Sequence, residues 1–220
     1  GAMLNFVLVS FGENCSVMMA MLSLFRFHVR NHLLAVLGLS IVLAFVSHAL
    51  FVQYDVSMAP LIQLVLFILA LRYLFYIHFF YSIIMAVFYT IFYVSLQALV
   101  IAGSVQFGIY SQESLQNPTS PQMYSIQILT SLINFAIAFY CAKKNLGFTF
   151  VPTSDSVPVS WTGSNHWLAW SSAAGLVISL LAYMIFKDQV SSVFWLICLI
   201  GIIIVVLILR LIIRKEMSDD

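Results

Sequence analysis

The sequence predicts an all-α fold, a polytopic bundle of seven transmembrane helices with its N-terminus outside and its C-terminus inside the cell membrane. Three observations lead there. Hydrophobic residues make up 63% of the chain and charged residues 8%, against about a quarter charged in an average soluble domain, so the chain cannot cover itself with a water-facing surface. Its apolar residues fall in runs long enough to cross a bilayer, which takes about 20 residues at about 1.5 Å of rise each for a core about 30 Å thick. Its few basic residues gather at alternate ends of those runs, as Lys and Arg do in short cytoplasmic loops. The lipid bilayer is therefore the expected surrounding. A formal net charge of +1 leaves no electrostatic footprint for nucleic acid.

Taken in order, Gly1 and Ala2 precede Met3 and read as an expression scar left by protease cleavage, outside the fold. The membrane domain is expected over 3–213, with a cytoplasmic tail over 214–220. The first span, 4–25, has no Lys or Arg ahead of Arg26, so the positive region of a cleaved signal peptide is missing and the span is expected to be retained. The second span is 33–51. Between 61 and 102 there is neither Gly nor Pro, and the stretch is too long for one crossing, so it divides into spans at 60–78 and 81–103. A helix stopping at Arg72 would rise only about 20 Å, so the third span is expected to run on to His78 and turn among Tyr76, His78 and Tyr81, aromatic side chains suited to the membrane interface. The remaining spans are 123–141, 167–186 and 192–209. In the sixth, Ser171, Gly175 and Ser179 recur every fourth residue beside Ala174, a small-residue face for close helix packing.

Orientation follows from the basic residues. With the N-terminus outside, the inner ends carry Arg26, Arg30, Arg72, Lys143, Lys144, Arg210, Arg214 and Lys215, leaving only Lys187 outside. An odd number of spans is what this alternation requires. The outer connection, 104–122, holds Gln112, Glu113, Gln116 and Asn117 without one basic residue, and these four are the candidate outer recognition residues. Asn117-Pro118-Thr119 is no glycosylation acceptor, because proline occupies its middle position. The inner connection, 142–165, mixes Lys143 and Lys144 with Pro152, Pro158, Phe148, Phe150, Val151 and Trp161, and is expected to pack in part on the inner membrane face. Cys15, Cys141 and Cys198 are odd in number and lie in or at the ends of apolar runs, where they act as small hydrophobes, not a disulfide framework.

No Walker A loop, HExxH, GxSxG, CxxC or paired acidic motif occurs within a span, so no catalytic residue and no cofactor is assigned. Membrane enzymes also assemble sites from single residues on separate helices, which leaves the enzyme question open. Glu13 is the sharpest feature: a charge near the middle of a span costs about 3 kcal/mol or more. Ser10, Glu13, Asn14 and Val17 fall on one helical face, so that Glu13, with Ser10 and Asn14, forms a candidate ligand-binding or proton-linked group. The alternative is that Glu13 only fixes helix packing through hydrogen bonds. Arg72, about four turns along the third span, either snorkels to the inner interface or pairs with Glu13, a contact that their different depths oppose. His28 and His32 stand four apart but lack a third ligand, and no metal is assigned. Met18, Met19 and Met21 with Phe25 would line an adaptable apolar surface or fill the core.

Glu13-Asn14 followed by Met21-Leu22-Ser23-Leu24-Phe25-Arg26-Phe27 resembles the first helix of the multi-span input regions of bacterial histidine kinases of the Agr quorum-sensing receptor type, and 64–99 resembles a later part of them. The resemblance covers about the first half of the chain and is one of hydropathy rhythm. It implies a helical receptor that senses an extracellular peptide or a membrane-borne ligand and passes a conformational signal through its last helix. The expected function is thus a sensory or regulatory membrane domain, with a small extracellular ligand or peptide on one side and a cytoplasmic signalling partner, or a homodimer partner, on the other. The basic exit Arg210-Leu211-Ile212-Ile213-Arg214-Lys215 fits that role. A small transporter or substrate-binding subunit, motivated by Glu13 within a bundle, and an accessory scaffold are the alternatives.

Overall fold

A computed structural model of the chain describes residues 1–54 and 59–144. The expected sixth and seventh spans, most of the inner connection and the basic exit lie outside the described residues. Within them the chain is helical: α1 (Ala2–Leu24), α2 (Leu33–His48), α3 (Ala59–Tyr73), α4 (Phe79–Gln106), α5 (Gln112–Gln116) and α6 (Pro121–Lys144). A 3-10 turn, Val29–His32, leads into α2, and a π turn, Ala49–Gln53, prolongs it. Four stretches, Ala2–Leu24, Val29–Gln53, Phe79–Gln106 and Pro121–Lys144, are long and apolar enough to cross a membrane.

The helix boundaries have local causes. At the end of α1, Phe27 N–H donates to the Leu22 carbonyl and Arg26 N–H to that of Ser23, with Arg26 at φ 62. This is a Schellman closure in which arginine occupies the left-handed position that glycine usually fills. The buried pair Leu22 and Phe27 supplies its hydrophobic contact. α4 ends in the same way with a true glycine, Gly108 at φ 71. α6 starts where sequence grammar places a helix, on Ser120-Pro121: the Ser120 hydroxyl accepts from Met123 N–H at 3.2 Å, and proline sits where no amide hydrogen is needed.

The third span departs from expectation. The stretch 61–102 does divide into two helices, but α3 stops at Tyr73 and does not run on to His78. Tyr76 turns left-handed at φ 55 and Ile77 N–H reaches back to the Leu71 carbonyl at 3.1 Å. The turn carries Phe75 and Ile77 into the core, 2% and 0% exposed. Packing those side chains outweighs prolonging the helix, and α3 rises only about 22 Å as a result. Likewise His28 and His32 do not share an α-helical face: His28 is extended ahead of the 3-10 turn, and the His32 ring meets Phe75 edge-on at 5.4 Å.

α1 lies between α2 and α6, α3 packs on α4, and α4 also reaches α1 and α6. Side-chain pairs fix the two ends. Phe6 against His48 and Gln63 bonded to Ser47 mark one end. Phe25 against Phe88 and His32 against Phe75 mark the other. Arg26, Arg30, Arg72, Lys143 and Lys144, all the Lys and Arg among the described residues, gather toward this second end. The core is densest there, around Met18, Met21, Leu22, Phe25, Ile84 and Phe88. The methionines therefore serve as core, and Arg72 Cζ lies 5.8 Å from the Tyr73 ring centroid.

The bundle exposes large apolar side chains and holds several small polar ones within its apolar core. Leu34 is 87% exposed and Leu132 60%, whereas Ser16, Ser40, Ser82, Thr130 and Asn134 are fully buried. An apolar exterior is what a lipid-facing surface requires. Most buried hydroxyls are met within their own helix: Ser40 donates to the Val36 carbonyl, Ser82 to His78, Thr130 to Ile126 and Ser131 to Gln127.

Candidate functional site

Glu13 occupies the midpoint of α1, and α4 meets it there with two polar side chains one helical turn apart, Tyr93 and Gln97, both lying beside its carboxyl group. The two also bond to each other, Gln97 Nε2 donating to the Tyr93 hydroxyl at 3.3 Å. One turn further, Tyr89 donates to Asn134 Oδ1 of α6 at 2.6 Å, inside the core and beside the Phe92 ring. Asn134 belongs to a polar face of α6, Gln127, Thr130, Ser131 and Asn134, whose spacings of three and four residues put them on one side of the helix.

Three buried polar side-chain atoms have no hydrogen-bond partner among the described residues: Glu13 Oε2, Gln127 Oε1 and Asn134 Nδ2. They sit on α1 and α6, which pack directly on each other. Their heights can be compared through α4, which runs antiparallel to α6. From the Tyr89–Asn134 bond, Gln97 is eight residues along α4 and Gln127 seven residues back along α6, or about 12 Å and about 10.5 Å at the helical rise. Gln127 is thus level with Gln97, and Gln97 with Glu13. Glu13, Tyr93, Gln97 and Gln127 are each only partly buried, whereas Asn134 is sealed.

The other residues singled out from the sequence have different surroundings. Ser10 and Asn14 are buried beside Glu13, but the Asn14 amide donates to the Ser10 carbonyl at 2.8 Å and so satisfies its own helix. Arg72 lies in the last turn of α3, well away from the middle of the bundle where Tyr93 and Gln97 meet Glu13. In the outer connection, α5 is capped by Ser111, which accepts from Ser114 N–H, and is anchored by the buried Leu115. Ser120 donates to the Ser114 carbonyl at 2.6 Å, tying α5 to the start of α6. Gln112, Glu113 and Gln116 face outward on this small platform. Asn117 is exposed too, but its Oδ1 accepts from Thr119 N–H and hydroxyl and so holds the Pro118 turn.

Tyr89, Tyr93, Gln97, Gln127 and Asn134 were not singled out from the sequence. The signal that could have found them was the i, i+3, i+4, i+7 polar face of α6 and Gln97, the glutamine inside the apolar run of α4. Chemically the site is rich in acceptors and has one carboxyl. No three His, Cys, Asp or Glu side chains come together as a metal centre among the described residues. Comparison of the chain with protein-family models, curated proteins and solved structures gives no match.

Proposed function

We propose that the chain is a sensory or regulatory domain of a multi-pass membrane protein, with the polar site between α1, α4 and α6 taking up a small ligand and the basic end of the bundle passing the change to a cytoplasmic partner. The observation that supports it is the set of unmet buried atoms at Glu13, Gln127 and Asn134. In hydrocarbon an unsatisfied polar group costs several kcal/mol, so three of them in adjacent helices fit a site that something else completes. The Agr-type resemblance points the same way. Coupled transport is the second reading, favoured by a carboxyl at mid-span.

The topology proposed is N-terminus outside, seven spans and C-terminus inside, because it puts Arg26, Arg30, Arg72, Lys143 and Lys144 in the cytoplasm. In a background with Cys15, Cys141 and Cys198 replaced by alanine, Gln116→Cys is expected to react with an impermeant maleimide on intact cells, and Asn31→Cys only after permeabilisation. The reverse pattern would overturn the orientation. For function, probes at Asn31→Cys and Lys144→Cys in proteoliposomes report movement at the basic end while panels of small solutes and peptides are added. Sensing predicts a probe-distance change without solute accumulation, whereas accumulation assigns the chain to transport. A Glu13→Gln protein that responds like the wild type removes the site from either mechanism.

A further inference from the structure

We propose that the level of the bundle shared by Glu13, Gln97 and Gln127 binds a monovalent cation, either an alkali ion or the ammonium group of a small amine; this rests on the reading of the α1–α4–α6 region as a ligand site.

Donor and acceptor matching leads to the charge. Tyr93 and Gln97 lie beside the Glu13 carboxyl, yet Oε2 remains without a donor, and Gln127 Oε1, level with Gln97, also lacks one. With the Glu13 carboxyl ionised, two unmet acceptors at one level call for a ligand that donates or carries positive charge. The Lys and Arg among the described residues lie toward one end of the bundle, away from this midpoint. Charge balance then limits the valence. Glu13 is the only acidic side chain inside the described spans, since Glu113 is exposed on α5. One carboxyl with amide and hydroxyl oxygens offsets a single positive charge, whereas calcium and magnesium sites draw on several carboxylates or on retained water. A divalent ion would leave a net charge in a medium that penalises it heavily. The unmet Gln127 Oε1 supplies a neutral oxygen for the remaining coordination or hydrogen bond.

The test melts the full chain in nanodiscs in sodium, potassium, methylammonium or N-methylglucamine chloride at equal ionic strength, the last cation being too bulky to enter. At least one small cation is expected to raise Tm by about 5 °C or more when present at about 100 times its Kd. Sodium or potassium as the active salt identifies an alkali ion, and methylammonium alone identifies an amine. Glu13→Gln is expected to melt cooperatively in N-methylglucamine but to lose the shift. Gln127→Leu, which removes one neutral oxygen, should weaken the cation about tenfold, equivalent to about 1.4 kcal/mol. Equal melting of the wild type in all four salts overturns the cation. If Glu13→Gln still abolishes the proteoliposome response, the site survives as one for an uncharged ligand; if not, both ideas fail. A shift of unchanged size in Glu13→Gln also overturns the proposal, because the ion then binds elsewhere.

Discussion

Glu13→Leu is expected to give a protein that folds, melts higher by the equivalent of about 1–3 kcal/mol, and no longer responds to ligand. The gain follows from the cost of a carboxyl at mid-span, about 3 kcal/mol, set against what its removal strands. Asn14 loses nothing, because its amide bonds to the Ser10 carbonyl, and Ser16 bonds to the Glu13 backbone, which the substitution keeps. Tyr93 and Gln97 lose an acceptor but keep their bond to each other. The Tyr93 hydroxyl is left short of an acceptor, which takes back about 1–2 kcal/mol of the gain. Loss of response is expected to be at least about 100-fold in affinity, about 2.7 kcal/mol. Thermal melts and ligand titrations on Glu13→Gln and Glu13→Leu measure both. A Leu variant that collapses while the Gln variant behaves normally would make Glu13 a packing element, and wild-type responses in both would remove it from function.

Phe88→Ala is expected to cost about 3–4 kcal/mol, the range for deleting a buried phenylalanine ring. Phe88 is 2% exposed and meets Phe25 edge-on, ring centroids 6.0 Å apart at 90°, a geometry worth about 1 kcal/mol beyond area burial. Lipid is as apolar as the core, so the loss here comes from packing and the cavity rather than from transfer out of water. Two comparisons separate these causes. Phe88→Leu, which keeps most of the volume, should cost less than about 1.5 kcal/mol, and Leu132→Ala on the exposed face of α6 should fall within about 0.5 kcal/mol of wild type. Equal stability of Phe88→Ala and Leu132→Ala in denaturant titrations would show that the α1–α4 contact does not hold the basic end together.

The helices were legible because lipid imposes a length and a polarity that composition cannot hide. α1 and α4 begin within two residues of the runs read from the sequence, and α2 begins where its run does. The end of α3 was not legible. A span-length criterion counts apolar residues but is blind to where Phe75 and Ile77 can pack, and nothing in the sequence marks Tyr76 as a left-handed residue. Arg26 hides its left-handed role for the same reason, since glycine is the usual signal for it. At the site, Glu13 stood out because a charge interrupts an apolar run. Its neighbours Tyr93 and Gln97 did not, because tyrosine is common in α4 and an uncharged amide reads as an ordinary interruption. Their importance appears only when the fold brings α4 and α6 beside α1.

The back-bonded hydroxyls have a mechanical consequence. A helix whose serines and threonines are already met by its own carbonyls can slide or roll against a neighbour without exposing a bare hydroxyl to lipid. Among the described residues, the polar ties between one long helix and another are few: Ser47 with Gln63, Ser40 with the Met18 sulfur, Tyr89 with Asn134, and Glu13 beside Tyr93 and Gln97. These act as pins that set the register of otherwise smooth rods. Two of the four lie on α4, one fastening it to α1 and one to α6. Drawing the Glu13 carboxyl away from Tyr93 and Gln97 would remove the polar tie between α1 and α4, and with it one of the constraints on a glide of α1 toward or away from the end that carries Arg26 and Arg30.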